Sequence, residues 1–157
     1  MAINKELEDS VLIGDLQSVK KAIVKGYDIN AKDKYGRTII YDAVLKNYPS
    51  IVELLCESGA HLNIHDDDGK TPLHFAVMEN NFNIVNILIN RGANVNSTDN
   101  NGNSIICEAV YYSEGKPEII LLLKKNGADP TIANNYGVNA IELAETISNF
   151  DVSDLLK

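Results

Sequence analysis

Glycine recurs along this chain at a fixed interval. Gly36, Gly69 and Gly102 stand 33 residues apart, and so do Gly26, Gly59 and Gly92; Gly137 and Gly127 each follow the last of their series after 35 residues. A period near 33 residues marks a stack of look-alike modules, none of which can bury its apolar side alone. The fold must therefore be read from the module.

Four turns align: Asp33–Thr38, Asp66–Thr71, Asp99–Ser104 and Asn134–Asn139. Each holds a glycine suited to a positive φ and closes on Thr, Ser or Asn, residues that cap a helix by accepting a backbone N–H. Pro72 falls at a first helical position, where its missing donor costs little. A short helix follows each turn, with Ile40/Ala43/Val44, Leu73/Ala76/Val77 and Ile106/Ala109/Val110 on one face by i, i+3, i+4 spacing. A second helix carries Ile51-Val52 with Leu54-Leu55, then Ile84-Val85 with Ile87-Leu88, then Ile119-Ile120 with Leu122-Leu123. Pro49 and Pro117 mark two of its starts, and Gly59, Gly92 and Gly127 are placed to end it at C′. Met1–Asp33 reads as a degenerate first module and Asp151–Lys157 as a truncated last helix, as expected of modules with one face toward water.

Composition narrows the function. The chain carries 14 Lys and Arg against 22 Asp and Glu, a net charge of −8, and is 45% hydrophobic, enough for an ordered core. Negative charge disfavours nucleic acid and anionic membrane surfaces, and favours a cationic partner. The longest aliphatic run, Ile119–Leu123, is far too short to span a bilayer. The start lacks a secretion pattern, and Cys56 and Cys107 have no metal or redox spacing, so a reducing cytoplasm is expected.

No catalytic, cofactor or metal residue is assigned. Gly69-Lys70-Thr71 resembles the end of a phosphate loop, but Ile64 stands where that loop needs a glycine. Asp66-Asp67-Asp68-Gly69 lacks the alternation and distal Glu of a calcium loop; it reads as a turn, even with His61 and His65 nearby. Neither cysteine is accompanied by a candidate base.

Thr71-Pro72-Leu73-His74-Phe75-Ala76, with Ile84-Val85, Leu88, Gly92-Ala93 and Val95-Asn96, is similar to the ankyrin repeat; Gly59-Ala60 and Gly127-Ala128-Asp129 fit the same pattern. The resemblance implies an all-α solenoid of stacked antiparallel helix pairs with projecting β-hairpin-like loops. It implies one domain over 1–157: an N-terminal capping repeat at 1–32, repeats at 33–65, 66–98 and 99–133, and a C-terminal capping repeat at 134–157. It also implies that His74 holds a neighbouring loop, and that a concave surface binds another protein without catalysis. Three departures stand out. Only the second repeat has the full Thr-Pro-Leu-His, the third carries two extra residues around Ser113–Lys116, and the last has Glu145 where others have Val.

The contact positions that the resemblance implies lie two, five and six residues beyond the core Ile or Leu of each first helix. They are Asp42, Leu45 and Lys46; Phe75, Met78 and Glu79; and Glu108, Tyr111 and Tyr112. The turns add Tyr35 and Arg37, Asp67, Asp68 and Lys70, Asn101 and Asn103, and Tyr136. These form an apolar centre, Phe75, Met78, Tyr111 and Tyr112, among carboxylates, which suits a basic protein surface with an apolar side chain. The competing reading packs Phe75 and Met78 against adjacent helices and makes Asp66–Asp68 a solvated turn with Asp66 bonding local amides. A monomer is expected. Within binding, an immunity protein or inhibitor that covers a basic toxin or enzyme is the second reading; outside it stand an enzyme with a grafted site and a segment cut from a larger effector, against which the end modules speak.

Overall fold

A computed structural model describes residues 3–114, 116–147 and 152–156. Ten helices follow one another: α1 (Lys5–Leu12), α2 (Leu16–Val24), α3 (Ile39–Leu45), α4 (Pro49–Glu57), α5 (Pro72–Met78), α6 (Phe82–Asn90), α7 (Ile105–Tyr112), α8 (Glu118–Lys125), α9 (Ala140–Thr146) and α10 (Ser153–Leu156). Each odd helix packs on the even helix that follows it. The odd helices also pack in a row, α1 on α3 on α5 on α7 on α9, and the even helices α2, α4, α6, α8 and α10 do likewise. The chain is thus a two-layer stack with one continuous core, in which Leu55, Leu73, Leu88, Ile106 and Ile120 are all but inaccessible to water.

The even helices stop as their sequence demands. At Gly59 the φ is +87°, the Gly59 N–H donates to Cys56 O at 3.1 Å and the Ala60 N–H to Leu55 O at 3.0 Å. This double bond pattern satisfies two carbonyls that the helix end leaves free. It recurs at Gly92 and Gly127. The odd helices end the same way on Asn47 (φ 56°) and Asn80 (φ 50°), asparagine being the other residue that tolerates this conformation.

The helix starts correct one expectation. Ser104 accepts the Cys107 N–H at 3.4 Å, and Asn139 accepts the Ile141 and Glu142 N–H groups at 2.9 and 3.1 Å. Thr38 does not cap through its side chain; its buried hydroxyl has no partner. Thr71 opens α5 in a reciprocal capping box with His74, whose Nδ1 accepts the Thr71 N–H at 3.0 Å and lies 2.8 Å from the Thr71 hydroxyl.

The turns project as narrow hairpins, each built around one side chain. Asp33 Oδ1 accepts the N–H groups of Tyr35 and Arg37, Asp66 Oδ1 those of Asp68 and Lys70, Asp99 Oδ1 those of Asn101 and Asn103, and Asn134 Oδ1 those of Tyr136 and Val138, all between 2.8 and 3.0 Å. Neighbouring tips are stitched by backbone bonds: Asp67 N–H to Tyr35 O, Asn100 N–H to Asp68 O and Asn135 N–H to Asn101 O, at 2.9–3.0 Å. This closeness fixes Gly69, whose φ is +77° and where a Cβ would stand 2.6 Å from the Asn100 backbone nitrogen. Among the described residues, strand pairing is confined to one antiparallel bridge, Thr98 with Ser104.

A second ladder ties the repeats together at the loops that follow the even helices. Asn30 donates to Gly59 O and accepts the His61 N–H, Asn63 bridges Gly92 O and Asn94 N–H, and Asn96 bridges Gly127 O and Asp129 N–H. Each asparagine therefore closes a gap between one module and the next.

Candidate interaction face

The exposed surface of the odd helices and hairpin turns carries the residues the sequence singles out, but their rows differ. The positions two beyond the core residue do not point away from the stack. Phe75 is 9% exposed, edge-on to Tyr41 with ring centroids 5.7 Å apart. Glu108 is equally buried, and Asp42 is half-buried. The reason is that a helix inside a stack has a neighbour on each side, so little more than one strip of it meets water. The positions five and six beyond form that strip: Leu45, Lys46, Glu79 and Tyr111 are exposed, while Met78 and Tyr112 are half-buried. Tyr35, Asp67, Asp68, Asn101 and Tyr136 are exposed at the turn tips, and Asn103 is half-buried.

What covers the buried row is a periodic device. In the first two repeats the residue after the turn glycine reaches into the next repeat. Arg37 pairs with Asp66 at 2.9 Å and lays its guanidinium 4.6 Å from the centre of the Phe75 ring. Lys70, one repeat on, pairs with Asp99 at 3.2 Å and Glu108 at 2.6 Å. Arg37 and Lys70, expected as contact residues, are thus engaged inside the stack. Burial works against the Lys70 charge, but Glu108 and Asp99 outweigh it and hold its pKa above the ordinary value. Burial likewise opposes the Asp99 carboxylate; bonds from the Asn103 backbone and Lys70 overcome it and lower its pKa. Among the described residues no ion pair engages Asp42: burial, and then the charges of Glu8 and Asp33, raise its pKa against the weaker pull of Arg37 and Lys46.

The third residue of α3, α5, α7 and α9 serves a turn or the cap before it. Tyr41 donates its hydroxyl toward Ile64 O at 2.7 Å and Lys70 O at 2.9 Å, tying its own repeat to the next turn. His74 is fully buried; burial and the Lys70 charge depress its pKa to about 4, so the ring is neutral. Its Nε2 makes no hydrogen bond of full geometry, although the Asn103 backbone acts on the ring as an acceptor. Cys107 accepts the Ser104 hydroxyl at 3.3 Å, and Glu142 accepts the Asn139 N–H at 3.1 Å. Burial raises the pKa of the Cys107 thiol, and that of half-buried Cys56 to about 11, so neither is a thiolate near neutral pH.

Between the third and fourth repeats the device changes. The residue after the turn glycine is Asn103, and Leu143 stands where the earlier repeats have Phe75 and Glu108. Here a pocket of about 370 Å³ opens, lined by Asn103, Cys107, Glu108, Tyr111, Tyr112, Asn134, Val138 and Leu143. Tyr111 is 63% exposed and stands edge-to-face with Tyr112, with centroids 5.0 Å apart. Among the described residues no group of three or more His, Cys, Asp or Glu could hold a metal ion, and no helix is long and apolar enough to cross a membrane.

With the stacked pairs, the stitched hairpins and this face in view, the comparison with known families is direct. The family model described as ankyrin repeats (3 copies) matches residues 7–99 and 59–134. The chain belongs to the ankyrin-repeat family, whose members generally mediate protein–protein interaction and are typically non-enzymatic. No curated protein matches the chain.

Proposed function

We propose that this protein binds a basic partner protein through the exposed strip of its odd helices and hairpin tips. One observation carries the reading: Arg37 and Lys70, the cations that follow the turn glycines, are consumed internally, while the exposed carboxylates of the strip and the tips are not. Arg37 and Lys70 neutralise Asp66, Asp99 and Glu108. Among the described residues no ion pair engages the exposed Asp67, Asp68 or Glu79. Against these stand Lys46 and Lys34, the latter lying over the Tyr35 ring at 4.7 Å. Apolar anchors, Leu45, Met78, Tyr111 and Tyr112, lie among the acidic groups, the arrangement in which a few large side chains supply affinity and charges supply steering. The chain acts as a single domain and a monomer in the cytoplasm, a reading supported by one continuous core and two free thiols. The same acidic face would suit an inhibitor that covers a basic active site.

The test uses the protein that co-purifies with the chain. Replacing Asp67, Asp68 and Glu79 together by lysine should weaken its binding by at least about 100-fold and flatten its salt dependence. Glu118→Lys, on an even helix, should leave it unchanged. Equal effects of the two variants would refute the assignment of the face.

A further inference from the structure

We infer that the pocket between the third and fourth repeats is a socket for an arginine side chain of the partner, an inference that rests on the protein-binding reading above. Two earlier sockets set the pattern. At the first, the guanidinium of Arg37 sits between a carboxylate, Asp66, and an aromatic face, Phe75. At the second, the ammonium of Lys70 sits between two carboxylates, Asp99 and Glu108. In both, a cation from the preceding turn fills the space beside the next odd helix. At the third, the turn supplies Asn103, whose short side chain is occupied in accepting from Asn134 at 2.8 Å and donating to Asp99 at 3.2 Å. Among the described residues no side chain fills the space as Arg37 and Lys70 do in the earlier sockets, and the pocket stays open.

Asn134 and Leu143 stand where the first socket has Asp66 and Phe75, so its carboxylate and aromatic surface come instead from α7. Glu108 supplies a carboxylate: Lys70 binds its Oε1, and among the described residues no hydrogen bond or ion pair engages Oε2. The cluster of Lys70, Asp99 and Glu108 holds two anions and one cation, so one negative charge has no counter-charge. Tyr111 and Tyr112 supply aromatic surface, and Val138 and Leu143 an apolar floor. Arginine fits this set better than lysine. Its guanidinium is planar, weakly hydrated, stacks on rings and offers a fork of donors, whereas an ammonium gives up its water reluctantly. The surrounding charge agrees: residues 49–157 hold 6 Lys and Arg against 15 Asp and Glu.

The probe is the blocked tripeptide acetyl-Ala-Arg-Ala-amide, titrated into the ¹⁵N-labelled protein and followed by amide shifts. Saturable shifts at Glu108, Tyr111, Tyr112, Val138 and Leu143 are expected. The citrulline tripeptide, of the same shape without the charge, should bind at least about tenfold more weakly, and the lysine tripeptide several-fold more weakly. Asn103→Arg should place this chain's own guanidinium in the pocket and abolish the shifts. Should that variant fail to fold, Tyr111→Ala, which alters an exposed ring, should weaken binding several-fold. Equal binding of arginine and citrulline or of arginine and lysine peptides, shifts confined to other repeats, or undiminished binding to a folded Asn103→Arg protein would overturn the inference. The partner assay above separates the two levels: if the lysine-reversed face loses the partner while the tripeptide ignores the pocket, the face stands and the socket falls.

Discussion

Lowering the pH from about 8 to about 5 should cost this protein roughly 2 kcal/mol through one side chain, His74. The ring is fully buried, and its pKa falls from the ordinary 6.5 to about 4, first through burial and then through the nearby Lys70 ammonium. A folded-state pKa below the unfolded one means that protonation favours unfolding. The stability that rests on a neutral His74 is therefore complete above about pH 7 and drains away as pH falls through 6.5 toward 4. pH 5 lies about 1.5 below the pKa of the unfolded ring and still above that of the folded one, and each pH step of 1 is worth about 1.4 kcal/mol, which gives the 2 kcal/mol. At the acid end the loss approaches about 3 kcal/mol. Urea titrations at several pH values measure it directly. His74→Asn is the control, since its side-chain oxygen can accept the Thr71 N–H that Nδ1 now accepts. The variant should be less stable at pH 8 but lose about 2 kcal/mol less than the parent on going to pH 5. Identical pH dependence in the two proteins would refute the assignment of a buried neutral ring.

Three further outcomes follow from the packing. Lys70→Met leaves Asp99 and Glu108 buried without a cation and should cost about 3 kcal/mol in denaturant titration, most of it recovered when Asp99→Asn and Glu108→Gln are added. Leu88→Ala should cost about 2–5 kcal/mol by opening a cavity, while Tyr111→Ala, at an exposed ring, should stay within about 0.5 kcal/mol; equal losses would contradict the division between core and face. Asp42→Asn should raise stability at pH 7 in denaturant titration, because it removes a carboxylate whose charge burial disfavours, and the gain should shrink in acid as Asp42 itself takes up a proton.

Much of this architecture can be read in the residues. The glycine period, the apolar stripes and the proline and glycine punctuation are local patterns, and local patterns place helices. The burial of Phe75 and Glu108 is not local. Reading one helix at a time assumes one buried face, whereas Phe75 is covered by Tyr41 and Arg37 of the preceding repeat and Glu108 by Lys70. The contacts concerned join residues 29 to 38 positions apart, so they emerge only when each turn is laid against the helix of the next module. The asparagine ladder was within reach: Asn30, Asn63 and Asn96 share the 33-residue period of the glycines, but a polar residue in a loop carries no apolar pattern to draw notice. The third socket is legible only by difference, from a short Asn103 standing where Arg37 and Lys70 stand in earlier repeats.

Hydrogen–deuterium exchange on the complex with the co-purified partner bears most directly on the function. Slowed exchange should appear at Leu45–Lys46, Met78–Glu79, Tyr111–Tyr112 and the hairpin tips, with α4, α6 and α8 unchanged. Protection confined to those even helices, with the strip exchanging as in the free protein, would contradict the account.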